Sequence, residues 1–550
     1  MLNKQVNSIF SSALILALSV LFSRILGLLR DRLLAGTFGA GRELDIYFAA
    51  FRIPDFVYGI LIMGGISAVF LPVFAEIYKK NKEESWEFVN NLLGIFLLLL
   101  AVLSVILFII TPYLMSFVAP GFSSEQKEIA VTLTRIMFLS PILLGISSLF
   151  SGILQYFHRF FAYALAPVMY NLGIILGIIF LVPIFGIVGL AYGVILGAML
   201  HLLIQILPSI NTGWKLTLPK LTFNNPEIRK VFYLMLPRIW GTSAYHINLL
   251  AVTAIGSTLG VGAIAVFNFS NNLQYIPIGL IGVSFAIAVF PVLSRSWADQ
   301  NSQAFWKYFF STFRQIFFFT LPVALFMFIL RAHIVRLILG TGQFDWEDTR
   351  LVAASLGLFA INVPLSAVIP LLARAFFSTQ DTKTPALVSI GATILTIAFA
   401  LIFTQLFEGG IFRNLMGDIL NIADLPNITV LGLPLALSIA TAIQFLFLLW
   451  FLQGKLKKFI LKEIGLFAGK LVLCGLVLIL GTYLSLYVTA PFFNLQTFWK
   501  VFFHGAIAAM VGGILYLFSA FLLKLDEPQA LLLLIGNFKN KTTKKTIDNP

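Results

Sequence analysis

Arg24, Arg30 and Asp31 stand within or at the end of one apolar run, and Asp45, Arg52 and Asp55 stand within the next. An arginine at the centre of a membrane helix costs on the order of 2.5–3.5 kcal/mol to insert, so such residues face a bundle interior or a water-filled cavity. Asp45, Arg52 and Asp55 follow at intervals of seven and three residues, which puts all three on one helical face. Pro54, Gly59 and the pair Gly64-Gly65 lie along the same run. They can bend or break a helix and free backbone carbonyls that a cavity or a protein neighbour must then satisfy. A bent helix carrying fixed charges beside Arg24 suits a cavity that binds a charged cargo. The structural alternative is that Arg52 pairs with Asp45 or Asp55 in its own helix, while Arg24, Arg30, Arg32 and Arg42 snorkel to an interface.

Other polar positions are weaker candidates. The fourth apolar run holds Arg135 and Pro141, the sixth His201 and Gln205, and the seventh Pro237-Arg238, His246 and Asn248. The eighth carries Asn268, Asn271, Asn272 and Gln274, a neutral polar patch expected at a cavity wall, with Asn271 and Asn272 as its binding residues. His201 and His246 are expected as hydrogen-bonded interior histidines, since neither has a second histidine or a carboxylate at metal-ligand spacing. Asp345-Trp346-Glu347-Asp348 is the nearest approach to a catalytic acidic cluster and is expected as a solvated loop. No Gly-rich nucleotide loop precedes a helix. The single cysteine, Cys474, lies in an apolar run and is expected to be a packing residue. The residues therefore point away from an enzyme, a metal centre and a cofactor.

The elements that must position these residues follow from composition. Of 550 residues, 59% are hydrophobic and 11% charged, and the mean hydropathy of +0.97 lies far above that of soluble domains. Almost the whole chain belongs in a bilayer. The net charge of +14 resides in short connections between apolar runs, where it sets topology, and indicates no nucleic-acid partner. Runs of roughly 17 to 30 residues give about fourteen spans, from 9–29, 45–76 and 89–114 through 228–258 and 261–293 to 465–488 and 498–523. The first is long enough to cross a bilayer and carries Arg24, so it is expected as a retained helix and not a signal peptide. Lys79, Lys80 and Lys82, Arg159, Lys215, Lys220, Arg229 and Lys230, and the group Lys455, Lys457, Lys458 and Lys462 fall on one side, which predicts cytoplasmic termini.

Two segments repeat. Gly39-Ala40-Gly41 opens a run ending in Ala68-Val69-Phe70 and Pro72-Val73, and Gly260-Val261-Gly262 opens one ending in Ala288-Val289-Phe290 and Pro291-Val292. Duplicated bundles are common in transporters. The expected architecture is an all-α polytopic membrane protein with a six-helix lobe over 1–210, a second over 226–453, a C-terminal helix pair over 464–523 and a basic cytoplasmic tail over 524–550.

Ser23-Arg24-Ile25-Leu26-Gly27, Arg30-Asp31, Phe38-Gly39-Ala40-Gly41, Asp45 and Phe51-Arg52-Ile53-Pro54, followed by Phe70-Leu71-Pro72-Val73-Phe74, resemble the N-terminal signature of the MurJ/MviN family. Its members are lipid II flippases of the multidrug/oligosaccharidyl-lipid/polysaccharide exporter superfamily. Phe290-Pro291-Val292-Leu293-Ser294 and the fourteen-span layout extend the resemblance over the chain.

The resemblance implies two lobes in a V around a cationic cavity, which alternate between inward and outward openings to move undecaprenyl-linked lipid II across the bacterial cytoplasmic membrane. It implies binding roles for Arg24, Arg30, Asp31, Asp45 and Arg52, a groove for the lipid tail between the last two spans, and coupling to membrane potential or a monovalent ion. Membrane lipids and cell-wall synthesis proteins are the implied partners. The alternatives are an exporter of another polyprenyl-linked glycan and a cation-coupled drug exporter. The chain departs from the family pattern in its second span, where many members carry a basic pair and an acidic residue and this one has Tyr58-Gly59 and Met63. In the eighth span, Asn272 and Tyr275 stand where members have Arg and Glu. The expected cavity is less charged for it.

Overall fold

The protein was analysed as a computed structural model that describes residues 9–456, 460–493 and 496–528, and every regular element among them is helical. Helix α1 (Ile9–Phe38) ends at Gly39, whose φ of +64° lets the chain turn into α2 (Arg42–Val57). The chain then passes through a π-helical stretch, Tyr58–Ile66, into α3 (Ser67–Lys80). Next come α4 (Lys82–Val118), α5 (Ser124–Met137), α6 (Leu139–Tyr156), α7 (Phe160–Leu176), α8 (Val182–Phe185) and α9 (Val188–Ile210). The second half holds α10 (Pro226–Gly256), α11 (Ala263–Pro277), a π-helical Ile278–Val283, α12 (Ser284–Ala298), α13 (Ser302–Ile329) and α14 (Arg331–Ile338). It continues with α15 (Trp346–Ala360), α16 (Val363–Ser378), α17 (Lys383–Leu406), α18 (Gly410–Leu420), α19 (Gly432–Leu456), α20 (Ile460–Thr489) and α21 (Phe498–Leu522). Polar side chains open several of these. Asn81 accepts from Glu83 and Glu84 at the start of α4, Ser123 and Gln126 form a capping box on α5, and Asn225 opens α10.

Ten helices are long and apolar enough to cross a membrane, or eleven when α15 and α16, bent by 48°, count as one span. The other three expected spans lie in α1, in α2 to α3 and in α10, which carry most of the candidate charges. From residue 529 onward the expected basic tail lies outside the described residues, as do Lys457 and Lys458.

Prolines within the helices explain several contacts between them. Each leaves the carbonyl four residues earlier without its helical donor. Pro54 frees Ala50 O, which accepts from Thr134 Oγ1 at 3.0 Å. Pro112 frees Phe108 O, which accepts from Arg135 Nε at 3.1 Å, and Pro322 frees Phe318 O, which accepts from the Tyr516 hydroxyl at 2.9 Å. The neighbour expected to satisfy a freed carbonyl is thus a side chain on the adjoining helix.

Within the first half α7 packs on α1 and α9, and α2 on α5; within the second, α17 packs on α19, α11 on α15 and α13 on α16. The pair α20 and α21 docks on α13 through Phe318, Phe467, Cys474, Leu478 and Tyr516. Cys474 is buried there, as a packing residue. The hydrophobic core is continuous between the halves at the end that carries Gly39 to Gly41, where Leu44, Ile46, Ile264, Val266 and Phe359 belong to one cluster. Toward the opposite end there are separate cores, one around Phe70, Phe88 and Phe150 with the first turns of α10, the other around Phe309, Phe313 and Leu371.

Candidate functional site

Between the halves lies a cavity of about 230 Å³, walled by Ser23, Arg24, Arg30 and Asp31 of α1, Asn171 of α7, Tyr245 of α10 and Asn271, Asn272 and Tyr275 of α11. The helical period of α1 turns Arg24, Gly27 and Asp31 to this side, and the absent side chain of Gly27 leaves open space. Asp31 is buried and organises the wall. Its Oδ1 accepts from Arg30 at 2.8 Å and 3.1 Å, and its Oδ2 accepts from Asn272 Nδ2 at 3.1 Å, joining the two halves. Arg30 also donates to Asn171 Oδ1 at 3.2 Å. Arg24 differs. Its guanidinium lies over the Tyr275 ring at 5.5 Å and makes no hydrogen bond among the described residues. It is an available cation in a cavity lined by amide and hydroxyl groups, which is what a phosphate-bearing cargo requires.

The three charges of α2 share a face, as expected, but that face meets the second half of the chain and is not part of the cavity wall. Asp45 is buried at the shared-core end, where Oδ2 accepts from Gly262 N at 2.6 Å and Oδ1 from Ala265 N at 2.8 Å. It caps the N-terminus of α11, where a carboxylate is favoured by the unpaired amides and the helix dipole. Arg52, also buried, donates to Thr253 Oγ1 at 2.8 Å and Asn268 Oδ1 at 2.6 Å, so the alternative of an ion pair with Asp45 or Asp55 in its own helix gives way to contacts between the halves. Asp55 faces His246 of α10, with Oδ2 3.8 Å from Nδ1.

Other expectations also change. Asp348, expected in a solvated loop, accepts from Ala40 N at 2.9 Å and is a counterpart of Asp45 at the same junction. His246 meets a carboxylate that sequence spacing could not show, because Asp55 comes from the other half. His201 is the interior histidine expected, with Nδ1 2.8 Å from Ser147 Oγ. Asn268 serves Arg52, and Gln274 donates to Asn271, so of the polar patch in α11 only Asn271 and Asn272 reach the cavity. Arg32 donates to Leu337 O at 2.6 Å, and Arg42 pairs with Glu125 at 2.7 Å, so neither only snorkels. Lys470 of α20 donates to Leu523 O at 2.8 Å at the end of α21. Asn171 and Tyr245 join the wall without a sequence signal, since one amide or tyrosine in an apolar helix carries no spacing pattern, and Tyr275 stands out in the sequence only as a departure from the family pattern.

The shared-core end is closed by backbone approach. A Cβ on Gly262 would strike Ala40 O, and one on Gly342 would strike Gly36 O. Gln343 N donates to Gly36 O at 2.9 Å beside them. The two repeated glycine motifs of the sequence therefore sit against each other.

A polar cavity between two helical bundles, closed at one end and wrapped in apolar surface, defines a membrane transporter of polar cargo. The sequence profile described as "Lipid II flippase MurJ" matches residues 34–503. The lipid II flippase MurJ of Burkholderia cenocepacia is 30% identical over 408 residues, which cover 72% of this chain and 79% of that protein. A probable lipid II flippase MurJ of Buchnera aphidicola subsp. Schizaphis graminum is 28% identical, covering 93% of this chain and 96% of its own. Among solved structures, a lipid II flippase MurJ in an inward closed conformation superposes with a TM-score of 0.73 at 23% identity, covering 93% of this chain and 99% of that one. An inward-facing multidrug resistance MATE family transporter of the MOP superfamily superposes at 0.62 with 17% identity, covering 80% of this chain and 96% of its own. This chain belongs to the MurJ lipid II flippase family, a family of transporters and not of enzymes.

Proposed function

We propose that this chain carries lipid II from the inner to the outer leaflet of the bacterial cytoplasmic membrane by alternating access, with the cavity around Arg24 as the headgroup site. The observation that carries this reading is the contrast between Arg30, bonded to Asp31 and Asn171, and Arg24, which has no hydrogen-bond partner among the described residues and faces the cavity. Arg24 binds the diphosphate, bidentate where the oxygens allow it, and Asn271 and Asn272 offer donors and acceptors to the sugar and peptide. Arg30, Asp31 and Asn272 shape the wall. Asp45, Arg52 and Asp55 hold the halves in register and change partners as the cavity opens on alternate sides.

In this reading the chain has fourteen spans in two lobes over 1–210 and 226–453, with both termini cytoplasmic, so the shared-core end faces outward. The pair over 464–523 offers its groove to the undecaprenyl tail, which never leaves the lipid. An inside-negative potential favours outward movement of the anionic headgroup by about 2.3 kcal/mol per charge per 100 mV. Cell-wall synthesis proteins are the natural neighbours.

The test is complementation of a bacterium depleted of its own lipid II flippase, with parent and Arg24→Ala compared at equal membrane expression. Rescue by the parent alone is expected. Failure of a well-inserted parent would shift the cargo to another polyprenyl-linked glycan, and rescue by Arg24→Ala would remove Arg24 from headgroup binding.

A further inference from the structure

We propose that Asp55 and His246 together form a binding site for a coupling proton, held in the seam between α2 and α10 and exchanged as the two halves separate and close. The inference rests on the transport reading and deepens it by naming the coupling ion and its site. Three observations carry it.

The pair joins opposite halves of the molecule. His246 Nδ1 lies 3.8 Å from Asp55 Oδ2, and both side chains are partly shielded, at 14% and 29% exposure. The first turns of α10 share the first half's core and the helix packs along the π-helical stretch, so the separation of the pair reports whether α10 stays docked on the first half.

The imidazole sits in a socket made by a missing side chain. Gly59, one turn beyond Asp55, lies at the start of the π-helical stretch, and a Cβ there would overlap the ring of His246. The Phe56 ring stands nearly perpendicular to the same imidazole, with centroids 6.5 Å apart. His246 is therefore confined between Phe56 and the backbone of Gly59, with one nitrogen toward the carboxylate.

The remaining groups facing the pair leave the imidazole as the one whose ordinary range is nearest neutrality. From the α2 side they are Arg52, committed to Thr253 and Asn268, and Tyr58; from α10, Tyr245, which also walls the cavity; from α7, Tyr170 and, beside Tyr58, Tyr163. Arginine stays charged and tyrosine neutral across the physiological range, whereas histidine changes charge within it. With glycine at 59 and histidine facing Asp55, the ion pair is conditional on a proton.

The step is a simple uptake. Neutral His246 takes one proton from water to become imidazolium, and Asp55 stays carboxylate. The new pair of opposite charges draws α2 and α10 together, and loss of the proton to water removes the attraction and lets the seam open. Arg52 opposes the imidazolium, which keeps its hold reversible.

The experiment uses the full chain in lipid vesicles with spin labels on Lys80 and Gln300, exposed positions on the two halves, and no substrate. Interlabel distances are measured from about pH 8 to about pH 5, the range over which histidine titrates. The parent is expected to shift toward one distance population as the pH falls, and His246→Gln and Asp55→Asn to lose that shift. Gly59→Ala, which displaces the ring and leaves both titrating groups in place, is expected to weaken it. An unchanged pH response in both His246→Gln and Asp55→Asn would overturn the proposal, as would a parent with no response. Lipid II flipping by the same preparations tests the transport reading separately. A parent that shifts with pH and does not flip lipid II would sink that reading and keep the proton site. A parent that flips lipid II without a pH response would do the reverse.

Discussion

Arg24 and Arg30 are two turns apart on one helix and differ in how much of their hydrogen-bonding capacity the protein already uses. Arg30 is bonded to Asp31 and Asn171, so truncating it leaves a buried carboxylate without its cation. Arg24 rests on the face of Tyr275, and its removal leaves no buried group unsatisfied. Arg24→Ala is therefore expected to keep the parent's melting temperature within a degree or so while abolishing lipid II flipping in vesicles. Arg24→Lys, which keeps the charge and loses the planar fork, is expected to retain roughly a tenth or less of the rate. Loss of stability equal to that of Arg30→Ala would place Arg24 in the structural frame and not in binding. These arginines stand out in the sequence because a charge in an apolar run demands a partner or a cavity. Tyr245 does not, because tyrosine in a membrane helix is ordinary, and its place at the cavity depends on how α10 packs.

At the scale of helices, prolines and glycines decide where elements meet. Of three π-helical stretches among the described residues, those beginning at Tyr58 and Ile278 lie 220 residues apart, within one residue of the offset between the glycine motifs, which argues that both halves inherit one bent helix; the third, Gly177–Leu181, has no such counterpart. The sequence points to a bend near Pro54, Gly59 and Gly64-Gly65, but hydrophobic period alone does not distinguish a π-helical stretch from a break. Glycine motifs indicate duplication in the sequence; only the fold shows that they face each other. Because a Cβ on Gly262 would strike Ala40 O, and its φ of +85° already disfavours a side chain, Gly262→Ala is expected to hold the closed end apart. A thiol reagent applied from outside should then label a cysteine placed at Ala40 faster than in the parent background. Equal labelling would show that the seal does not depend on this approach. Tyr516→Phe tests the proline contacts. It leaves Phe318 O without its donor, and about 1–3 kcal/mol of destabilisation is expected, read as a lower melting temperature and increased protease access to the α20 and α21 pair. An unchanged melting temperature would mean that the Pro322 carbonyl finds another donor.

Across the whole molecule, one continuous core joins the halves at the Gly41 and Gly262 end, while toward the other end the cores divide, one holding the first turns of α10 beside the first half and the other built from the second half alone. Two bodies joined in this way can part at the end of the separate cores without repacking them, while opening the other end requires the continuous core to divide. The charged residues of the seam then set the direction. Outward movement of the anionic headgroup and inward movement of a proton on His246 both run with an inside-negative field, so potential and proton gradient act on the same cycle from opposite sides of the charge balance. A full transit of one charge across 100 mV is about 2.3 kcal/mol, close to fiftyfold in the equilibrium ratio. In vesicles clamped with potassium and valinomycin, an inside-negative potential is expected to raise lipid II delivery to the outer leaflet, and reversing the potential to suppress it. An acid-outside gradient at zero potential is expected to stimulate the parent and to leave His246→Gln unchanged, whereas the potential should still drive that variant through the headgroup charge. Loss of both responses in His246→Gln would show that the histidine maintains the seam itself and carries no separate coupling charge.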